Sequence, residues 1–232
     1  MTASQESHAF EEWLEYCFTQ GFDDFHGRSR DPDAADERVA KLEGYSPRIG
    51  EHLLRLFESP AILSGRFTDD QLAGGVRYIF GTPSEYFIGM KTEAPPELIE
   101  RCVRSSLRMF TELFDPVCLR REAEGRSERT PDSIEQAVID IWDSGLDAVA
   151  MPQHATDAEF EAGLFMIEGV LKSCRSTACL LSGVEGVREG LSANPESSGR
   201  RRRLRGALKA LLGRGDLPQE TQAAAEATLR MR

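Results

Sequence analysis

Apolar residues return every three to four positions along nearly the whole chain, between recurrent helix-start signals, and no run alternates with the period of two that a half-buried strand requires. Phe10, Trp13, Leu14, Cys17 and Phe18 stand at i, i+3, i+4, i+7 and i+8, which is one face of a helix. Residues 6–20 are therefore read as a helix that Gly21 ends. Thr68-x-x-Gln71 and Thr156-x-x-Glu159 are capping boxes, in which the threonine hydroxyl and the residue three positions on satisfy each other's backbone N–H groups. The first opens a helix with Leu72, Val76, Ile79 and Phe80 on one face and Gly81-Thr82-Pro83 as its stop. The second opens one with Phe160, Leu164, Ile167 and Leu171.

The same reading continues elsewhere. The polar stretch 28–44, with Asp31-Pro32, is expected to be a loop with a short helix. Ser46-Pro47 reads as an N-cap and first helical position ahead of Ile49, Leu53, Leu56 and Phe57, stopping before Pro60. After Pro95-Pro96 a long helix presents Leu98, Ile99, Cys102, Leu107, Phe110, Leu113 and Phe114, and Asp115-Pro116 is expected to end it. Residues 120–129, RREAEGRSER, read as a charged, solvated link and the one candidate sub-boundary. Thr130-Pro131 would start the next helix, with Ile134, Ala137, Val138, Ile141 and Trp142, and 143–155 would form an ordered loop. Helices over 178–191, 204–212 and 218–231 close the chain. The expectation is one all-α domain over 1–232, built from antiparallel helix pairs as a HEAT-like layered array or an irregular helical bundle. No crisp internal repeat marks the array form.

Composition narrows the functional classes. A chain of 232 residues with 40% apolar and 29% charged residues suits a globular domain with a full core. It contains no apolar run of about 18 residues, so no membrane span is expected. The N-terminus is acidic rather than signal-like, and the five cysteines are odd in number without a C-x-x-C pair. These features suggest a cytoplasmic protein with buried thiols rather than disulfides or zinc. The four histidines, His8, His26, His52 and His154, form no H-E-x-x-H, and Asp23, Asp24 and His26 are read as a turn. No G-x-S-x-G elbow and no G-K-[ST] loop occur; Gly74-Gly75 falls inside a helix, where it would let a neighbour approach closely. No catalytic, cofactor-binding or metal-binding residue is assigned, and no cofactor is expected.

Charge is the one large asymmetry. Residues 200–232 hold nine Lys/Arg and three acids, a surplus of +6, so a chain of net −11 carries −17 over residues 1–199. Arg200, Arg201, Arg202, Arg203 and Arg205 lie at the start of a helix whose apolar face is Leu204, Ala207, Leu208, Leu211 and Leu212. Cations in a first turn oppose the helix macrodipole, so acidic partners are expected on the body. Nucleic acid is disfavoured because the acidic body repels phosphate. Trp142 and Asp143, at a helix end beside a loop, are the other candidate interaction residues, with Trp142 read as core.

The stretch CLLSGVEGVRE, residues 179–189, resembles the C-x-E-S-A-L-H-G-L-G-H motif of a broad family of uncharacterised bacterial all-helical proteins, where it precedes two closing helices. LLRLFESPAILSGRFTDDQLAGGVRYIF and AVIDIWDS resemble two further segments of that family, so the similarity spans about residues 46–230. It implies an all-helical fold and brings no activity with it. Glu185 and Glu189 occupy the two histidine positions. The function expected is a non-enzymatic protein-binding module of immunity or regulatory type, partner and oligomeric state open. The competing readings are an enzyme with a site at 143–154 and a nucleic-acid binder through 200–205.

Overall fold

The structure, a computed structural model, describes residues 3–26, 28, 49–81, 83–142, 146, 155–195 and 198–231. Its regular elements are helical throughout: α1 Ala3–Thr19, α2 Gly21–Phe25, α3 Ile49–Glu58, a 3₁₀ turn Pro60–Leu63, α4 Asp69–Phe80, α5 Tyr86–Glu93, α6 Pro96–Arg108, a π-helical turn Met109–Phe114, α7 Asp115–Ala123, α8 Ile134–Ile139, α9 Asp157–Ser173, α10 Thr177–Ala193, α11 Gly199–Leu212 and α12 Gln219–Leu229. The fold is all-α, with no strand among the described residues. The Ser46-Pro47 start, most of the 28–44 loop and residues 143–145 and 147–154 lie outside the described residues.

Both capping boxes form. Gln71 N donates to the Thr68 hydroxyl at 3.2 Å and Thr68 N to Gln71 Oε1 at 2.9 Å; Thr156 and Glu159 repeat the exchange at 3.2 and 2.7 Å. The helix expected over 204–212 begins five residues earlier, at Gly199, and three further expectations need correction. Gly21 does not end helical structure, because α2 follows α1 after a single residue. The helix begun at Pro96 does not stop at Asp115-Pro116 but runs through the π turn into α7. Pro116 has no N–H for the residue-112 carbonyl and its ring would crowd that carbonyl; residue 112 lies inside the widened turn, which makes the room. Finally α8 starts three residues later than Thr130-Pro131, because the Ser133 hydroxyl caps Gln136 N at 3.2 Å. Helix α5 was not legible: its apolar residues are bunched as Tyr86, Phe87, Ile88 rather than spaced around a turn.

Two rows of helices converge. In one, α1 packs on α4, α4 on α8 and α8 on α10; in the other, α3 packs on α6, α6 on α9 and α9 on α10. Helices α11 and α12 close over α10, which also touches α7. Most of these partners are not consecutive in sequence, so the helices form an irregular bundle rather than a stack in which each pair meets only the next. One cluster of buried apolar side chains runs from Phe10 to Ala225.

Close packing on α10 depends on glycine. A Cβ at Gly186 would stand 2.5 Å from Trp142 Cε2, and one at Gly183 would stand 2.6 Å from Leu171 Cδ2. Trp142, fully buried, thus lies flat against the α10 backbone. Gly75 plays the expected part on α4, leaving space that the Phe18 ring of α1 fills.

The stretch 120–129 is more than a solvated link. Arg120 and Arg121 belong to the last turn of α7, and the Arg121 side chain is only 11% exposed. It donates from Nε to Glu135 Oε1 at 2.6 Å and from Nη1 to Asp69 Oδ2 at 2.9 Å, tying α7 to α8 and to the first turn of α4. Burial works against a charged Asp69, but hydrogen bonds from Arg121 and Arg120 outweigh it and hold the carboxyl below its ordinary range.

Replacing Trp142 with Ala should cost about 3–5 kcal/mol in urea unfolding, the range for emptying a large aromatic site. Gly186→Ala should cost about 1–3 kcal/mol by overpacking the same contact. A loss below about 1 kcal/mol for the tryptophan would contradict its position in the core.

Asp69 is a carboxylate depressed by folding, so its stabilisation is present above the ordinary value of 3.8 and disappears as pH falls through the lower folded value. The stability gap between the wild type and Asp69→Asn should therefore be full at neutral pH and close below pH 3.8. A gap that stays constant across that window in urea melts would exclude the linkage.

Candidate functional site: an arginine-bearing helix and a buried thiol cluster

Four arginines of α11, Arg200, Arg201, Arg203 and Arg205, reach partners on the body. Ser198 caps the helix, its hydroxyl accepting from Arg201 N at 3.1 Å, and Leu204, Ala207, Leu208 and Leu211 are buried below. Arg200 donates to Asp157 Oδ1 at 2.7 Å and to the Ala155 carbonyl at 2.8 Å. Its guanidinium also stands 4.9 Å from the centroid of the Phe160 ring. Arg203 makes a two-pronged contact with Glu161, which holds that carboxyl below its ordinary range. Asp157 and Glu161 sit one turn apart in the first two turns of α9, so the cationic start of α11 lies against an acidic helix start.

Arg201 is the buried member, 5% exposed, and donates to the carbonyls of Leu191 and, at 3.1 Å, Asn194. These are carbonyls at the C-terminal end of α10, which the helix itself leaves unsatisfied. Arg205 reaches the Met231 carbonyl past the end of α12. Arg202 is exposed and has no ion pair among the described residues.

Of the other candidates, Trp142 is buried against Gly186, and its indole N–H has no hydrogen-bond partner among the described residues. Asp143 lies outside the described residues. Glu185 and Glu189 share one cation: Arg188 donates from Nε to the two Glu185 oxygens at 2.6 and 2.8 Å, and its Nη2 stands 2.8 Å from Glu189 Oε1. Glu185, Arg188 and Glu189 thus form an acid–base–acid triad on one turn of α10.

All five cysteines are buried. Burial pushes the Cys102 thiol up to about 12 and the Cys17 thiol well above its usual value, so both stay protonated. The remaining three gather at one corner. Asp115 and Cys118 lie three residues apart on α7, and Cys174 and Cys179 flank the start of α10. A carboxylate oxygen of Asp115 and the sulfurs of Cys174 and Cys179 all lie within 4.8 Å of one another, and Cys118 is a hydrogen-bond neighbour of Cys179. Burial, then the neighbouring thiols of Cys118 and Cys174, raise the Cys179 thiol well above its usual value. Asp115, Cys174 and Cys179 are the donors already close enough together to hold a soft metal ion, with Cys118 beside Cys179. Sequence spacing gave no sign of them: the pair is separated as C-x₄-C and its companions come from a helix more than fifty residues earlier.

Fold and site together define an all-α protein whose arginine-bearing helix α11 is clamped to an acidic body. Compared with known proteins, the chain finds no matching family model, no similar curated protein and no similar solved structure. No described helix is long and apolar enough to cross a membrane.

Removing the buried Arg201 side chain leaves two helix-end carbonyls without their donor, whereas Arg202 pairs with no charged group among the described residues. Arg201→Ala should destabilise by about 1–3 kcal/mol and Arg202→Ala by no more than about 0.5 kcal/mol in urea melts. Equal effects would show that the two side chains do not differ in role.

Proposed function

We propose that the chain is a non-enzymatic protein-binding module of the cytoplasm, of immunity or regulatory type, that offers an acidic surface to a basic partner protein. The observation that carries this reading is the inward use of the arginines. Arg200 and Arg203 are spent on Asp157 and Glu161, and Arg201 and Arg205 on backbone carbonyls. Most of the charge of the basic stretch is thereby compensated within the molecule, Arg202 remaining exposed, while exposed acids such as Glu51, Asp70, Glu85 and Glu97 remain on a body of net −17 over residues 1–199. Surface charge of this sign speeds encounter with a cationic protein and repels nucleic acid. High thiol pKa values at Cys17, Cys102 and Cys179 also weigh against cysteine nucleophiles.

Cross-linking in the native cell followed by mass spectrometry should recover one stoichiometric partner with a basic surface. Its affinity should fall as salt rises, and should fall further when Glu51, Asp70, Glu85 and Glu97 are changed together to Gln, without loss of helical circular dichroism. Recovery of the chain alone, or of a partner whose binding ignores salt and these four changes, would overturn the reading.

A further inference from the structure

We propose that Asp115, Cys118, Cys174 and Cys179 form a structural Zn²⁺ site that rivets α7 to the start of α10. Tetrahedral zinc with Zn–S bonds of about 2.3 Å places its sulfurs about 3.8 Å apart. Asp115, Cys174 and Cys179 already hold their donor atoms within 4.8 Å of one another, so ordinary side-chain rotation closes the set. Cys118, a hydrogen-bond neighbour of Cys179 three residues along α7 from Asp115, stands outside that three-donor set and completes the tetrahedron by turning its sulfur in from Cys179. Three sulfurs and one carboxylate oxygen select zinc among common cations, because magnesium and calcium take oxygen ligands.

The surroundings supply what a four-anion site needs. Asp115 Oδ1 accepts from Arg175 N at 2.9 Å and from Ser176 N at 2.7 Å, which orients the carboxylate and leaves its other oxygen for the metal. Both amides belong to the N-terminal approach of α10, where the helix dipole favours negative charge. Arg214 donates to the Cys174 carbonyl at 3.0 Å, bringing a cation beside the cluster. The Ser176 hydroxyl is buried there and has no hydrogen-bond partner among the described residues. The three cysteines are fully buried and Asp115 is 8% exposed, so the carboxylate is the member through which an ion reaches the sulfurs.

Capping the start of α10 employs one oxygen of Asp115, and a disulfide would use two of the sulfurs and leave the third sulfur and the second carboxylate oxygen without a part. Zinc uses all four. Binding forms three Zn–S bonds and one Zn–O bond and releases the three thiol protons to water; no oxidation or reduction occurs.

The test uses the full chain, purified without chelator and analysed for metal by plasma mass spectrometry. It is then stripped and titrated with Co²⁺, a spectroscopic substitute for zinc. One zinc per chain, and a thiolate-to-cobalt charge-transfer band with tetrahedral ligand-field bands, are expected. Asp115→Asn preserves the acceptor for the two amides and should lower zinc affinity by at least about ten-fold, since even groups behind the ligands cost 10–100-fold. Cys17→Ser with Cys102→Ser should keep the full metal content. Intact mass lower by two hydrogens without metal would establish a disulfide instead and overturn the site. So would a folded, metal-free wild type that gives no charge-transfer band with Co²⁺. These wild-type readings decide the matter even where a cysteine variant fails to fold.

Discussion

Helix α10 is held at both ends by groups from other parts of the chain, and the rest of the bundle is arranged around that. Its N-cap residue, Ser176, makes no capping bond of its own. Asp115 and Glu122 of α7 take the first backbone amides instead, with Thr177 N donating to Glu122 at 2.8 Å. At the other end the carbonyls of Leu191 and Asn194 go to Arg201 of α11. A helix capped in this way gains its end satisfaction only when its neighbours are in place, so its termini and its packing form together. The glycines work in the same sense. Each costs about 1 kcal/mol of helix propensity against alanine, and Gly183 and Gly186 offset that by letting Leu171 and Trp142 reach the backbone.

The charged residues follow the same geometry. A run of arginines at a helix start is unfavourable in isolation, and here it lies beside the acidic start of α9. Exposed pairs of this type are worth about 0–1 kcal/mol each, so the leucines of α11 supply most of the docking and the arginines set its orientation. The buried Arg201 is the exception, because its contacts are shielded from water and serve a helix end.

The two notable features of the molecule therefore belong to different layers. The acidic residues lie on the exterior, and the thiol–carboxylate corner lies where α7 meets the start of α10. The corner lies at the end of α10 opposite Arg201, so the two clamps act on one helix from its two ends. Arg214, following α11, touches the Leu171 and Cys174 carbonyls and connects the closing helices to that corner.

Local sequence determined the helical class and most helix starts, because periodicity and capping are decided within one or two turns: the Thr68 and Thr156 boxes and the faces through Phe10, Leu53 and Phe160 needed nothing distant. It also placed Trp142 in the core and the arginines at the start of a docked helix. It could not give the π turn ahead of Pro116, where tertiary packing keeps a helix going through a residue that ordinarily stops one. Nor could it give α5, whose burial comes from the helices around it. The meeting of Asp115 and Cys118 with Cys174 and Cys179, and the capping of α10 by Asp115, Glu122 and Arg201, belong to the tertiary structure alone. The reason is physical: a helix sets its own hydrogen bonds over four residues, while the direction from which another helix supplies a donor, a thiol or a carboxylate is fixed only when the two surfaces pack.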